Sequence, residues 1–81
     1  MVIEDSVHFR EMLEERKIQR EWVERTEREP EQVEERDDGT RHLIKRIPEH
    51  GNRWLRVVVN VALVPNRRVT AFFERRLRKE S

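Results

Sequence analysis

One alternating apolar run, residues 54–63, constrains the fold of this chain more than any other feature. Successive side chains of a β-strand point to opposite faces, so the odd-numbered positions would form one continuous apolar face. Those positions are Leu55, Val57, Val59, Val61 and Leu63. The even-numbered positions are Trp54, Arg56, Val58, Asn60 and Ala62, which make a half-polar face. The run therefore predicts a central strand with one face on a core and the other face open.

Two amphipathic segments near the start of the chain predict a helical hairpin. The first follows the i, i+3, i+4, i+7 spacing of a helical stripe. Its members are Phe9, Met12, Leu13 and Arg16. Asp5 or Ser6 can cap this helix, which is expected to end near Lys17. The second helix begins near Gln19 and ends before Pro30, because proline blocks continuation. Its inward residues are Trp22, Val23 and Thr26, with Ile18 bridging the two helices.

Three further strands are predicted, because the hydrophobic period changes to two from Gln32 onward. A weak polar strand over 32–36 and a strand over 41–47 meet at Asp38-Gly39, a dipeptide typical of a two-residue type I′ turn. Residues 48–52 would form a turn or bulged loop. Pro65 and Asn66 would lead into a last strand over 67–75.

The predicted fold class is α+β, with two N-terminal helices packed on one face of a four-stranded antiparallel sheet. The order is two helices followed by four strands, and short links favour an antiparallel meander. A chain of 81 residues has room for one two-layer core. We therefore expect a single domain over 1–81, with a helical hairpin over 1–30, a sheet over 31–76 and a basic tail over 77–81.

Composition sets limits on the function classes. Apolar residues make up 35% and charged residues 43%, but the apolar residues cluster where a core needs them and the net charge is only +1, so a folded domain is favoured over disorder. The chain has no cysteine, which excludes disulfides and cysteine-based sites. Metal-binding spacings and phosphate-cradling glycine loops are lacking, so no metal or cofactor is expected. No apolar run could cross a bilayer, and the expected location is the cytoplasm.

The charge is divided unevenly along the chain. Residues 1–40 hold 7 Lys/Arg and 14 Asp/Glu, a net of −7, whereas residues 41–81 hold 11 and 3, a net of +8. Such asymmetry suggests a side that faces a polyanion or an acidic partner. The alternative is that an acidic helical layer neutralises a basic sheet layer within the fold.

Several segments in a shared order resemble a known family. They are residues 6–10 (SVHFR), 15–18 (ERKI) with Val23, 53–60 (RWLRVVVN) and 68–76 (RVTAFFERR). Together they resemble the uncharacterised prokaryotic domain-of-unknown-function family four-two-five-eight over nearly the whole chain. The sequence departs from that pattern at Lys17, where the family usually has Gly, and at Glu74, where Asp is expected. The family is similar in layout to BrnT-like and RelE-like toxins, small ribonucleases of toxin–antitoxin pairs, which implies basic residues on the sheet face away from the helices.

Metal-independent RNA cleavage requires a base for the 2′-hydroxyl, an acid for the leaving oxygen and cations near the phosphate. The candidate catalytic residues are His42, Arg56, Arg76 and His8. If His42, Arg56 and Glu74 all point outward, they form an acid–base and phosphate-binding cluster, but a one-residue slip in register would send them inward. The structural alternative for Arg56 is an ion pair with Glu74, and for His8 a helix-end role.

Cations and aromatic residues near the strands form a candidate nucleic-acid-binding set, because phosphates attract cations and bases stack on aromatic rings. The members are Arg46, Arg53, Trp54, Arg75, Arg78 and Lys79.

Two hypotheses follow from these residues. The first is a toxin-like protein that binds RNA through a basic sheet face and that could act as a metal-independent endoribonuclease of a toxin–antitoxin system. Its partners would be RNA or an acidic antitoxin-like protein. The second is a non-enzymatic interaction module or homodimer, in which Trp54 and an edge strand contact another protein. Neither hypothesis places the chain in a membrane.

Overall fold

The computed structural model describes residues 3–74. Two helices, α1 (Phe9–Arg16) and α2 (Arg20–Arg28), lie on one face of a five-stranded sheet. The strands are β1 (Ile3–Asp5), β2 (Gln32–Glu35), β3 (Thr40–Ile47), β4 (Arg53–Asn60) and β5 (Asn66–Phe73). A short 3₁₀ helix, Pro48–His50, links β3 to β4. Among these residues no helix has the length and apolar character needed to cross a membrane.

The sheet is mixed and has five strands, so the prediction of a four-stranded antiparallel sheet is wrong: the four predicted strands pair antiparallel, but a fifth strand, β1, joins them in parallel. The order across the sheet is β1-β5-β4-β3-β2, and β1 runs parallel to β5. Ile3 lies opposite Asn66 and Asp5 opposite Arg68, and the Ser6 N–H donates to the Arg68 carbonyl at 2.9 Å. A three-residue strand with two acidic positions has no readable alternation, which is why sequence patterns missed β1.

The core forms where the alternating run predicted it. Leu55 and Val57 on β4 have no exposed surface and Val59 has 2%. The helices cover this face with Phe9, Leu13, Ile18, Trp22 and Val23, all buried. Phe9 and Leu13 of α1 and Trp22, Val23 and Thr26 of α2 are therefore buried as predicted, whereas Arg16 of the predicted α1 stripe is exposed. Strand β4 ends three residues before the predicted boundary. Leu63 is 38% exposed instead of lying in the core.

The predicted caps of α1 are wrong. Asp5 belongs to β1, and the residue at the N-cap position is His8, which makes no side-chain capping bond. The helix ends where expected, at Lys17, whose φ of 58° gives the left-handed turn that leads to Ile18. Asp5 is instead used in an ion pair, so its charge holds β1 in place.

The hairpin between β2 and β3 has a three-residue loop, not the predicted two-residue type I′ turn. The Arg36 N–H donates to the Thr40 carbonyl at 2.9 Å, which leaves residues 37–39 in the loop. Gly39 has the expected positive φ, 88°, but Asp38 does not share it, whereas a type I′ turn requires it at both positions. Asp38 Oδ1 instead accepts hydrogen bonds from the backbone and hydroxyl of Thr40.

An ion-pair network joins β1, α2 and β5, and Arg68 is at its centre. Arg68 Nε donates to Glu27 Oε2 at 2.6 Å, and its Nη1 donates to Asp5 Oδ1 at 2.9 Å. Arg20 Nη2 donates to the other Asp5 oxygen at 2.6 Å. The side chains of Arg68 and Glu27 are only 11% and 9% exposed. These charges are therefore compensated within the fold and hold the short strand β1 against the sheet.

We expect Arg68→Ala to lower the free energy of unfolding by about 3 kcal/mol, because it leaves the nearly buried Glu27 carboxylate without its partner. Urea denaturation followed by circular dichroism measures this change. The paired variant Arg68→Met with Glu27→Leu should lose clearly less, since no buried charge remains uncompensated. Equal losses in the single and paired variants would contradict this role for the ion pair.

Acid should also weaken the network through Asp5. Burial alone would raise the pKa of Asp5, but hydrogen bonds from Arg20 and Arg68 outweigh it and hold the pKa below 3.8. The folded state then binds fewer protons than the unfolded state, so stability is present above pH 3.8 and is lost as the pH falls through the folded-state pKa. Urea midpoints measured across this range should fall less steeply in Asp5→Asn. An unchanged slope would rule out Asp5 as the titrating group.

Candidate functional site

Arg56 lies at the middle of the sheet face that the helices leave open. Because Leu55 and Val57 point into the core, the intervening Arg56 side chain points to the opposite face. Its cross-strand neighbours are Ile44 on β3 and Phe72 on β5. Arg56 is therefore a charged residue in the centre of the most apolar strand, where its charge requires partners.

Three side chains converge on the Arg56 guanidinium. Its Nε donates to Glu74 Oε2, and its Nη1 donates to Glu34 Oε1 at 3.1 Å and contacts His42 Nδ1 at 2.9 Å. The Arg56 side chain is 12% exposed. Among residues 3–74 its Nη2 group has no hydrogen-bond partner. We call these four residues, Glu34, His42, Arg56 and Glu74, the Arg56 cluster.

Strand register places the members of the Arg56 cluster. Glu34 on β2 lies directly opposite His42 on β3, and directly opposed residues share one face of a sheet. Glu74 follows β5, and its N–H donates to the Trp54 carbonyl at 2.8 Å, which continues the pairing with β4 by one residue. The predicted grouping of His42, Arg56 and Glu74 on the open face is therefore present, and the structure adds Glu34.

The pKa of the His42 imidazole is lower than that of an ordinary histidine. Burial first, and then the positive charges of Arg36 and Arg56, lower the pKa of His42 below 6.5 against the opposing effect of Glu34 and Asp38. Arg56 can only donate, so Nδ1 of the neutral ring must accept and the ring proton lies on Nε2. At neutral pH His42 is thus an uncharged side chain that offers an N–H donor away from Arg56.

The carboxylates keep Arg56 charged and compensated. Burial alone would lower the pKa of Arg56, but the hydrogen bonds that it donates to Glu74 and Glu34 raise it above its ordinary value. Glu34 also accepts from Arg36 at 2.6 Å, and the hydrogen bonds from Arg36 and then Arg56 hold the pKa of Glu34 below 4.5. With a neutral His42, the Arg56 cluster carries one positive and two negative charges.

This arrangement can bind an anion at one edge and exchange protons at another. The Nη2 group of Arg56 is a donor for a phosphate oxygen, His42 Nε2 is a second donor, and the carboxylates are proton acceptors. Within residues 3–74 no group of three or more His, Asp or Glu side chains could hold a metal ion. Histidine and carboxylate side chains can exchange protons, and the Nη2 group of Arg56 can donate to an anion.

Comparison with known proteins assigns the chain to a family. A family described as "Domain of unknown function (DUF4258)" matches residues 6–73. The chain belongs to this family. No curated protein and no solved structure gave a significant match.

Aromatic and apolar side chains flank the Arg56 cluster of this DUF4258 domain. Trp54 shares the open face and is half-buried, and the Arg46 guanidinium lies 5.4 Å from the centre of its ring. Ile44 and Val58 lie on the same face and have only 0% and 7% of their surface exposed. The open face is thus an apolar floor with a charged centre and Arg46 exposed at one end.

The remaining predicted site residues are not part of the Arg56 cluster. His8 begins α1, is 81% exposed and lies 3.6 Å from Glu11. Arg53 alternates with Trp54 to the helix-covered face, where its guanidinium lies 5.4 Å from the centre of the Phe73 ring. Four predicted residues lie outside the described part of the chain: Arg75, Arg76, Arg78 and Lys79.

Sequence reasoning missed Glu34 because it assigned the wrong hairpin loop. A two-residue loop at residues 38–39 would pair His42 with Glu35 and send Glu34 to the opposite face. The three-residue loop shifts the register by one, so His42 faces Glu34. The sequence feature that could have indicated the observed loop is Gly39, because a glycine in the left-handed region also closes three-residue hairpin loops.

The state of His42 in this DUF4258 domain can be tested by nitrogen NMR. We expect a neutral ring protonated at Nε2 at pH 7, and a titration midpoint below 6.5. Arg56→Gln and Arg36→Gln should each raise that midpoint, because each removes a positive charge that disfavours imidazolium. Arg16→Gln on α1 is the control and should leave it in place. An Nδ1-protonated ring would contradict the contact with Arg56.

Proposed function

We propose that this DUF4258 domain binds RNA across its open sheet face and cleaves the bound strand at the Arg56 cluster without a metal ion. One observation carries the proposal: Arg56 is held by carboxylates through Nε and Nη1 while its Nη2 edge is free of partners among residues 3–74. A guanidinium fixed in this way is pre-oriented to donate to a phosphate oxygen, which reduces the ordering cost of binding.

Binding would use the side chains that surround Arg56. Arg46 is exposed at the end of the open face and supplies a second cation, and the half-buried rings of Trp54 and Phe72 offer surfaces on which bases can stack. The basic residues between positions 75 and 79 would add phosphate contacts. RNA binding should therefore be salt-sensitive, as each phosphate contact releases counterions.

Cleavage would follow from the neighbours of Arg56. The Glu74 carboxylate takes the proton of a ribose 2′-hydroxyl, and the 2′-oxygen attacks phosphorus while Arg56 stabilises the added negative charge. The 5′-oxygen leaves with the Nε2 proton of His42 in its imidazolium form, in which the protonated Nδ1 no longer accepts from Arg56. The products are a 2′,3′-cyclic phosphate and a free 5′-hydroxyl. Because the pKa of His42 is lowered, imidazolium is a minor form at pH 7, and cleavage should increase as the pH falls below 6.5.

The proposal extends to the class of protein. Helices on one face of a sheet and a candidate anion site on the other agree with the layout of BrnT-like and RelE-like toxins. On this proposal the domain acts in the cytoplasm as the toxin-like member of a toxin–antitoxin pair, and an acidic antitoxin-like protein would compete with RNA for the same face.

A second candidate function rests on the charge of the Arg56 cluster. Glu34 and Glu74 already neutralise Arg56, and a net negative cluster repels phosphate. If RNA does not bind against this repulsion, the ion pairs of Arg56 only stabilise the sheet, and the domain is a non-enzymatic interaction module. The half-buried Trp54 on the open face would then contact another protein or a second copy of the chain.

The test measures binding and cleavage separately on fluorescein-labelled single-stranded RNA in EDTA. Arg56→Lys keeps the positive charge but lacks the planar guanidinium that the carboxylates hold in place. It should therefore weaken RNA binding about tenfold. His42→Gln should keep binding and reduce cleavage at least about a hundredfold. His8→Gln is the matched histidine control and should change neither. Thermal unfolding of each variant checks that it is folded.

The outcomes separate the two functions. Salt-sensitive binding without cleavage by the parent protein would retain RNA binding and remove the catalytic part of the proposal. Cleavage products with 3′-hydroxyl ends would contradict attack by the 2′-oxygen. Absence of both binding and cleavage would overturn the RNA proposal and favour the interaction module.

A further inference from the structure

The two outermost strands of the sheet have different surroundings. On one side β5 is followed by β1, and α1 also reaches the end of β5, where Arg16 Nη1 donates to the Ala71 carbonyl at 2.8 Å. On the other side β2 (Gln32–Glu35) is the outermost strand and pairs only with β3 among residues 3–74. Among residues 3–74, β2 is therefore the longer of the two outermost strands, with four residues against three in β1, and no strand lies beside its outer edge.

The backbone of β2 presents unpaired groups along this edge. The Arg36 N–H donates to the Thr40 carbonyl across the hairpin. Because hydrogen-bonded positions alternate along an antiparallel strand, Gln32 and Glu34 face β3 in the same way, whereas Val33 and Glu35 direct their N–H and C=O groups outward. Such a row is a template for one more strand.

The side chains along the edge select for a basic partner. Residues 29–38 contain six acidic residues and one basic residue, Arg36. Glu35 already pairs with Arg41 at 2.7 Å and Glu31 lies 3.9 Å from Lys45, but their side chains are 62% and 38% exposed and can be reached by a partner's cations. At the middle of the strand Val33 is 50% exposed, which leaves an apolar contact between the charges. A second copy in antiparallel pairing about Val33 would set Glu31 opposite Glu35, and like charges directly opposed are unfavourable. RNA is disfavoured for the same electrostatic reason.

We infer that the outer edge of β2 binds an extended segment of a partner protein in which two Lys or Arg residues, four positions apart, flank a central apolar residue on the same face of the segment. The segment adds a strand beside β2, donates to and accepts from the backbone of Val33 and Glu35, and sets its cations beside Glu31 and Glu35. This protein interface is separate from the proposed RNA face, and its test does not depend on RNA binding or cleavage.

The probe is a fluorescent peptide of about seven residues, a typical strand length, with Lys at its second and sixth positions and Val at its fourth, so that the cations face Glu31 and Glu35 and the Val faces Val33. Binding is followed by anisotropy, and hydrogen exchange is measured at the Val33 and Glu35 amides of the parent protein. We expect the peptide to protect these two amides. The same peptide with alternate backbone nitrogens methylated should not bind, because it cannot pair with the edge.

Val33→Pro removes the outward N–H and leaves the bonds to β3 intact, since proline is tolerated on edge strands. It should weaken peptide binding about three- to tenfold, as expected for one lost hydrogen bond. Val33→Ala keeps the N–H and is the matched control for loss of the side chain. Glu35→Lys should also weaken binding, because it reverses one of the attracting charges. If Val33→Pro fails to fold, hydrogen exchange at the Val33 and Glu35 amides of the parent protein tests the inference instead.

Three results would overturn the inference. Equal binding of the methylated peptide would show attraction by charge alone. Absence of peptide binding, or binding without protection of Val33 and Glu35, would exclude strand addition at this edge. A dimer in sedimentation that Val33→Pro converts to a monomer would show that a second copy of the chain occupies the edge.

Discussion

Burial of Leu55, Val57 and Val59 beneath the two helices decides which face of the sheet is left open, because strand side chains alternate. This burial sends Arg56 to the uncovered face, in the middle of a strand that otherwise carries apolar residues. A guanidinium with 12% exposure needs opposite charge close by, and Glu34 and Glu74 supply it. The candidate site thus follows from the packing of the core.

The register of the β2–β3 hairpin decides which groups join Arg56. Gly39 in the left-handed region closes a three-residue loop, and this loop sets Glu34 opposite His42. Placing an acidic residue beside His42 and Arg56 gives the cluster a proton acceptor and a fixed guanidinium. The same strand that carries Glu34 also leaves its outer backbone edge uncovered within residues 3–74. One hairpin therefore supplies both the candidate site and the candidate protein interface.

Part of the uneven charge of the chain is neutralised by ion pairs within the fold. Glu27 of the acidic N-terminal half pairs with Arg68 of the basic half, and Asp5 bonds the same guanidinium. On the open face, Arg56 of the basic half likewise pairs with Glu34 of the acidic half. The alternative that an acidic helical layer neutralises a basic sheet layer thus accounts for the pairing of Arg68 with Glu27, whereas Arg56 is neutralised within the sheet layer by Glu34 and Glu74. Among residues 3–74, cations available to a partner are left at exposed positions such as Arg46.

The sequence by itself determined the elements whose signal is local. The alternation around Val57, the helical spacing around Leu13 and the positive φ of Gly39 each depend on a few neighbouring residues, and each was predicted correctly. It also placed His42, Arg56 and Glu74 on one face, provided that the strand register held. Local periodicity is sufficient for such features because burial acts on side chains one by one along an element.

Tertiary structure alone decided the features that depend on partners distant in sequence. β1 is a strand only because β5 and Arg68 lie beside it, more than sixty residues away. Glu34 joined the site through a loop one residue longer than predicted, and a one-residue change reverses the face of every side chain in a strand. His8 and Arg53 were separated from the cluster by the faces that their elements present. These outcomes depend on long-range pairing and register, which composition and spacing do not encode.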